Sequence, residues 1–172
     1  VSSKYLFRRP WLTVRCEDML LPNGNHIPEY YILEYPDWVN TIAITKEGKF
    51  VFVRQYRPGI GRTCYELCAG VCEKEDVSPL VSAQRELWEE TGYGNGNWQE
   101  YMVVSANPST HTNLTHCFLA TDVELIDHQH LEATEDISVH LFTLEEVRTL
   151  LENNEIMQSL NAAPLWKYMA SL

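Results

Sequence analysis

Arg85-Glu86-Leu87-Trp88-Glu89-Glu90-Thr91-Gly92-Tyr93 is the stretch around which the rest of this chain is organised. It has the form of a helix end loaded with carboxylates. Upstream, Ser78 can cap the helix and Pro79 suits its first position. Gly92 can end it in a left-handed C-cap. Leu80, Ala83, Leu87 and Thr91 fall along one stripe, with Val81 and Trp88 beside it, so one side can bury. Glu86, Glu89 and Glu90 stand at i, i+3 and i+4 and share a face. Like charges at that spacing cost a few tenths of a kcal/mol per pair, roughly. They also sit at the negative end of the helix dipole. Arg85 can pair with Glu89 at i+4 and offsets part of the repulsion.

The wider pattern gives these acids a use. Gly70, then Arg85 to Tyr93, resembles the signature of the Nudix hydrolases, Gly-x5-Glu-x7-Arg-Glu-U-x-Glu-Glu-x-Gly-U with U a bulky apolar residue. The second half fits at every specified position, a chance match on the order of one in 10^4 to 10^5 chains of this length. The first half departs from the pattern. Asp76 stands where a Glu is specified, and one extra residue lies between it and Arg85. The resemblance implies an α+β fold, a Nudix-type α/β/α sandwich around a mixed β-sheet. It implies that Glu86 and Glu90 bind divalent metal with Glu89 assisting, that the Ala69 carbonyl adds a ligand, and that Arg85 holds a glutamate in place.

Composition sets outer limits. The 172 residues are 45% apolar, enough for one domain with a core. Net charge is −11 and the pI about 4.9, which argues against nucleic-acid or anionic-membrane partners. A phosphate substrate stays compatible, because a bound cation reverses the local field. No apolar run approaches the roughly 20 residues of a membrane span, and no secretory signal is visible. The chain begins at Val1 without a Met, which suggests a removed leader or tag. Five cysteines, an odd count, suggest reduced thiols and a cytoplasmic location. Cys64, Cys68 and Cys72 recur every four residues, but no single helix would align them, so zinc is not expected.

Outside the helix the chain reads mostly as strands. Residues 1–37 suggest a small antiparallel β extension, with turn chemistry at Leu21 to Asn25, and residues 38–172 the hydrolase domain. Phe50 to Arg57 is a strand with apolar residues on both faces at first and basic ones at its end. Tyr65 to Cys68 is a short strand and Ala69-Gly70 a turn. Strands are expected at Trp98 to Ser105, Thr115 to Thr121 and Ser138 to Phe142. Thr143-Leu144-Glu145-Glu146 is a capping box opening a helix to about Leu151. A last helix is expected from Glu155 to about Ser171, broken or kinked by Pro164.

The approach to the box, Val53 to Pro58 with Tyr65 to Gly70, looks like that of ADP-ribose and ADP-sugar pyrophosphatases. That resemblance implies that Arg57 meets the diphosphate and that Gly70 opens the box. Glu66 holds a ribose or orders the site, with a buried structural partner as the other reading. Pro108, fifteen residues after Tyr93, resembles the mark of the same subgroup. An aromatic of the N-terminal region stacks on the base in such relatives, which makes Trp38 a candidate, with core packing as the alternative. His111 and His116 receive no role. A general base needs a carboxylate not committed to metal. The resembling pyrophosphatases carry catalytic glutamates in an acidic loop. That resemblance implies a metal-proximal Glu135 in Glu132-Ala133-Thr134-Glu135-Asp136, with Glu132 or Glu135 itself as the base and a solvated acidic loop as the alternative.

The expected activity is therefore Mg²⁺- or Mn²⁺-dependent hydrolysis of the diphosphate linkage in a nucleoside diphosphate sugar. ADP-ribose or an ADP-sugar would be split into a nucleoside monophosphate and a sugar phosphate. Alternatives are a nucleoside triphosphate or dinucleoside polyphosphate pyrophosphatase, and a catalytically inactive nucleotide-binding module. The apolar N-terminal strands point to a homodimer.

Overall fold

The structure, a computed structural model, describes residues 2–9 and 11–172. Its elements in chain order are β1 (Ser2–Arg9), β2 (Leu12–Leu20), β3 (His26–Glu34), β4 (Trp38–Thr45), β5 (Phe50–Arg57), β6 (Arg62–Glu66), β7 (Cys68–Val71), α1 (Pro79–Thr91), β8 (Tyr93–Gly94), β9 (Asn97–Val104), β10 (Thr115–Leu125), β11 (Ile137–Phe142), α2 (Leu144–Glu152) and α3 (Ser159–Met169).

Two sheets form. Strands β1, β2 and β3 make a three-stranded antiparallel sheet ending at Glu34. The second sheet has eight strands, running β11-β5-β4-β10-β8, with β6 on β5, β7 on β4 and β9 on β10. The β4–β10 pair is parallel and the other pairs antiparallel, so the sheet is mixed.

The centre of this sheet is apolar on both faces because both are covered. Ile42 and Ile44 of β4 and Phe50 and Phe52 of β5 pack with Val147, Leu151 and Leu165 of α2 and α3. Ala43 and Val51, one residue out of phase, meet Leu87 of α1 on the opposite side. Val39 joins Ala83 and Phe118 there. A period of two thus sorts the strand residues between two helical layers. The α/β/α sandwich expected from the sequence is the one that forms.

Local signals set the helices. Ser78 Oγ accepts from the Val81 amide at 3.4 Å, and Gly92, at φ 75°, donates its N–H to the Trp88 carbonyl at 2.8 Å. Both ends of α1 are therefore capped as expected. The capping box of α2 closes in both directions between Thr143 and Glu146.

Three expectations change. Ala69-Gly70 is no turn; it lies inside β7, where Val39 of β4 pairs with Gly70. The last helix begins at Ser159, not Glu155, because the Glu155 amide closes the end of α2 on the Leu150 carbonyl at 2.9 Å. Pro164 does not break α3, which runs through it. A proline there leaves the Leu160 carbonyl without its helical donor. The side-chain amide of Asn40 donates to that carbonyl instead, at 2.7 Å.

Candidate active site

Helix α1 presents its carboxylates to β7. Glu90 is buried, 5% exposed, and accepts from the Ala69 amide at 3.2 Å. In an antiparallel ladder a residue gives its N–H and C=O to the same edge. The Ala69 carbonyl thus faces the same side as its N–H, toward the glutamates. Glu86 sits directly over Gly70, where a methyl group would fall inside the Glu86 carboxyl. This accounts for a glycine in the strand: the backbone must leave room for the acid.

One arginine orders the cluster. Arg85 Nη1 donates to Glu86 Oε1 and to Glu89 Oε2, both at 2.9 Å. Its Nη2 donates to the Val71 carbonyl and to Asp76 Oδ2, both at 3.0 Å. Burial opposes the arginine's charge, but the bonds to Asp76 and the attraction of Glu86 outweigh it, so its pKa is raised. Asp76 is held below the usual carboxylate range by Arg85. The inserted residue before the helix has therefore not detached Asp76 from the cluster.

The acids are strongly coupled. Burial, then the charges of Glu86 and Glu135, push Glu90 up to about 8, against the opposing bonds from Cys68 and the Ala69 amide. Burial raises Glu86 even though Arg85 is in contact with it. Burial and the nearby Glu90 raise the Cys68 thiol well above its usual range. Several hard oxygen donors crowded together suit a hard divalent cation.

A cleft opens beside them, lined by Trp38, Arg57, Ala69, Gly70, Gln158 and Leu160 among others. Four of the residues singled out from the sequence thus share one wall-to-wall space. Arg57 is anchored from below by Glu66, 3% exposed: Nε donates to Oε1 at 2.9 Å, and Nη2 to Oε2 at 2.5 Å. The bond to Glu66 raises the arginine's pKa against burial. Glu66 is thus buried and paired with Arg57, a geometry common to the reading in which it orders the site and the reading in which it is a structural partner. Trp38 packs against Tyr35, ring centroids 5.5 Å apart, and edge-on to His111 at 6.4 Å.

Other candidates stand further out. Glu132 and Glu135 are exposed, and the Glu135 carboxylate accepts from the Glu132 amide at 2.8 Å. Its charge still reaches Glu90. Pro108 is exposed in a loop whose Ser109 carbonyl accepts from the Tyr30 hydroxyl at 2.8 Å. It does not line the cleft.

Some site residues escaped the sequence reading. Asn40 was visible as a polar residue in the otherwise apolar strand β4. Gln158 and Leu160 gave no signal, because α3 reaches the cleft only through packing. His111 carried no role in the sequence and lies in the aromatic cluster with Tyr35 and Trp38.

Comparison with known proteins agrees with this geometry. Residues 35–162 match the NUDIX domain, and residues 1–33 match the nucleoside diphosphate sugar hydrolase N-terminal domain. The chain is 31% identical over 163 residues to the ADP-ribose pyrophosphatase of Bacillus subtilis (strain 168), covering 94% of this chain and 87% of that one. It is 29% identical over 160 residues to the methanol dehydrogenase activator of Bacillus methanolicus, covering 92% and 85%. A crystal structure described as an ADP compounds hydrolase has the same fold, with a TM-score of 0.85 at 20% identity over 100% of this chain and 92% of that one. With the carboxylate helix, its glycine and its sandwich all in place, the chain belongs to the Nudix family.

Proposed function

We propose that this protein hydrolyses the diphosphate linkage of a nucleoside diphosphate sugar, ADP-ribose or an ADP-sugar, with Mg²⁺ or Mn²⁺. The products are a nucleoside monophosphate and a sugar phosphate. The observation that carries this is the arrangement beside the cleft: Glu86 and Glu89 are tied by Arg85 and Glu90 by the Ala69 amide, against the strand residues Ala69 and Gly70 that line the cleft together with Arg57. Glu86, Glu90 and the Ala69 carbonyl would hold the metal, with Glu89 and Glu135 alongside. Bound there, the cation neutralises diphosphate charge and makes water a better nucleophile.

The chain's own residues do the rest. Arg57 Nη1 takes no part in the pairing with Glu66 and is available to a diphosphate oxygen. Glu66 fixes the arginine's fork, so little side-chain entropy is lost on binding. Trp38, at the cleft, offers a ring face to the base. Glu135 or Glu132 takes the proton from the attacking water. The name of the Bacillus subtilis relative supports ADP-ribose as the substrate, and the match of residues 1–33 supports the nucleoside diphosphate sugar class.

Residues 1–37 serve as a dimerisation extension and the protein works as a homodimer. The exposed Phe7, Trp11 and Leu20 support this. Five free cysteines support a reducing, cytoplasmic setting. Among the described residues no helix is long and apolar enough to cross a membrane.

The test is a panel of ADP-ribose, ADP-sugars, other nucleoside diphosphate sugars, nucleoside triphosphates and dinucleoside polyphosphates with Mg²⁺. Glu86→Gln and Glu90→Gln serve as controls, with circular dichroism to check their folding. The expected result is hydrolysis of ADP-ribose or an ADP-sugar, lowered at least roughly 100-fold in each variant, a loss of about 2.7 kcal/mol of transition-state stabilisation. Preference for triphosphates, or wild-type turnover in both variants at low Mg²⁺, overturns the reading.

A further inference from the structure

The loop after β10 carries Asp127-His128-Gln129-His130, which the cleft does not use. Its backbone is fixed against the end of α1. The Ile126 and Asp127 amides donate to the Gly92 carbonyl at 2.9 and 3.1 Å, and the His130 amide to the Glu89 carbonyl at 2.8 Å. The Gln129 side chain donates to the Glu90 and Ile137 carbonyls at 2.7 and 3.1 Å. The His130 ring stacks on Trp88, centroids 4.1 Å apart. So held, three side chains turn toward one another. Asp127 Oδ1 meets His128 Nδ1 at 2.7 Å, and Oδ2 meets His130 Nε2 at 2.9 Å. One ligand atom from each of the three lies within 4.8 Å of the other two.

We propose that Asp127, His128 and His130 bind a divalent transition-metal ion of the zinc class, at a site separate from the carboxylate cluster. Two imidazoles and one carboxylate suit zinc, nickel or copper, whereas Mg²⁺ prefers oxygen alone. Three protein ligands leave one tetrahedral position open. Bonds of about 2.0 Å place tetrahedral ligand atoms roughly 3.3 Å apart. The carboxylate–imidazole separations of 2.7 and 2.9 Å are shorter than that value and run to different oxygens of Asp127. The rings must therefore move apart and the carboxylate turn to take an ion, which partly exposed side chains on this loop can do. The ion takes the place of the two polar contacts between the carboxylate and the rings. Because the loop backbone is already anchored to Gly92, Glu89 and Glu90, little ordering entropy opposes binding. The segment continues to Glu132 and Glu135, so an ion here also ties that segment to the end of α1.

The site is tested by titrating the full chain with Co²⁺ and Zn²⁺ in excess Mg²⁺, using visible absorption and calorimetry. The expected result is one equivalent bound at micromolar metal, with a tetrahedral Co²⁺ band and no thiolate charge-transfer band. His128, its side chain 79% exposed and its ring in contact only with the neighbouring His130 ring among the aromatic contacts of the described residues, is the ligand whose change disturbs packing least. His128→Gln should weaken Zn²⁺ binding at least about tenfold, a scale on which even supporting groups of metal sites matter. Glu90→Gln should leave it unchanged. No binding at micromolar metal, a thiolate band, an affinity unmoved by His128→Gln, or one abolished by Glu90→Gln each overturns the proposal.

Discussion

The side-chain amide of Asn40 donates to the carbonyl of Leu160 across 120 residues of sequence, at 2.7 Å. That carbonyl is the one that Pro164 deprives of its helical partner. One bond thus repairs the helix, fixes α3 on β4, and sets Leu160 at the edge of the cleft.

Asn40→Ala leaves a buried carbonyl unsatisfied and should cost roughly 1–3 kcal/mol, read by urea denaturation. Pro164→Ala restores a backbone donor to the same carbonyl. The double variant should therefore lose less than the sum of the two, a coupling on the scale of about 1 kcal/mol. Strict additivity would mean that the two residues do not serve the same carbonyl.

Gly70→Ala separates stability from chemistry. The added methyl displaces the end of the Glu86 side chain, which is flexible, while the backbone of residue 70 needs no left-handed conformation. The melting midpoint should move by the equivalent of under about 1 kcal/mol. A ligand moved by an ångström should lower kcat/KM by roughly 100-fold. Unchanged turnover would show that the position of Glu86 over Gly70 is not required.

Glu135→Gln should lower kcat by roughly 100-fold or more, the scale of general-base loss, at saturating Mg²⁺. Glu132→Gln matches it only if Glu132 is the base. The Glu135 amide donates to the Glu132 carbonyl and the Glu135 carboxylate accepts from the Glu132 amide, which places the two in one small turn. A Glu132/Glu135 double variant with wild-type kcat would place the base elsewhere.

The N-terminal sheet predicts a dimer. Every described residue of β1 is exposed, and Trp11 is 82% exposed. Light scattering should give two chains per particle at micromolar concentration, and Trp11→Glu should shift the population toward monomer. A wild-type monomer would remove the dimer from the functional reading.

The sequence by itself determined what is local. Helix α1, its Ser78 and Gly92 caps, the common face of its glutamates and the capping box of α2 were all legible. Each depends on contacts three or four residues apart. The α+β class followed from mixed strands with two or three helices, and the family resemblance sharpened it to the sandwich. Tertiary structure decided what depends on distant partners. Glu66 is a brace for Arg57, Asp76 joins the Arg85 network, and Glu90 is buried against β7 rather than solvated. Pro164 was read as breaking or kinking the last helix because the sequence alone shows the donor it removes. Only the fold shows the replacement, since a buried carbonyl is satisfied by whichever donor packing brings to it, and here that donor is Asn40, on the strand beneath.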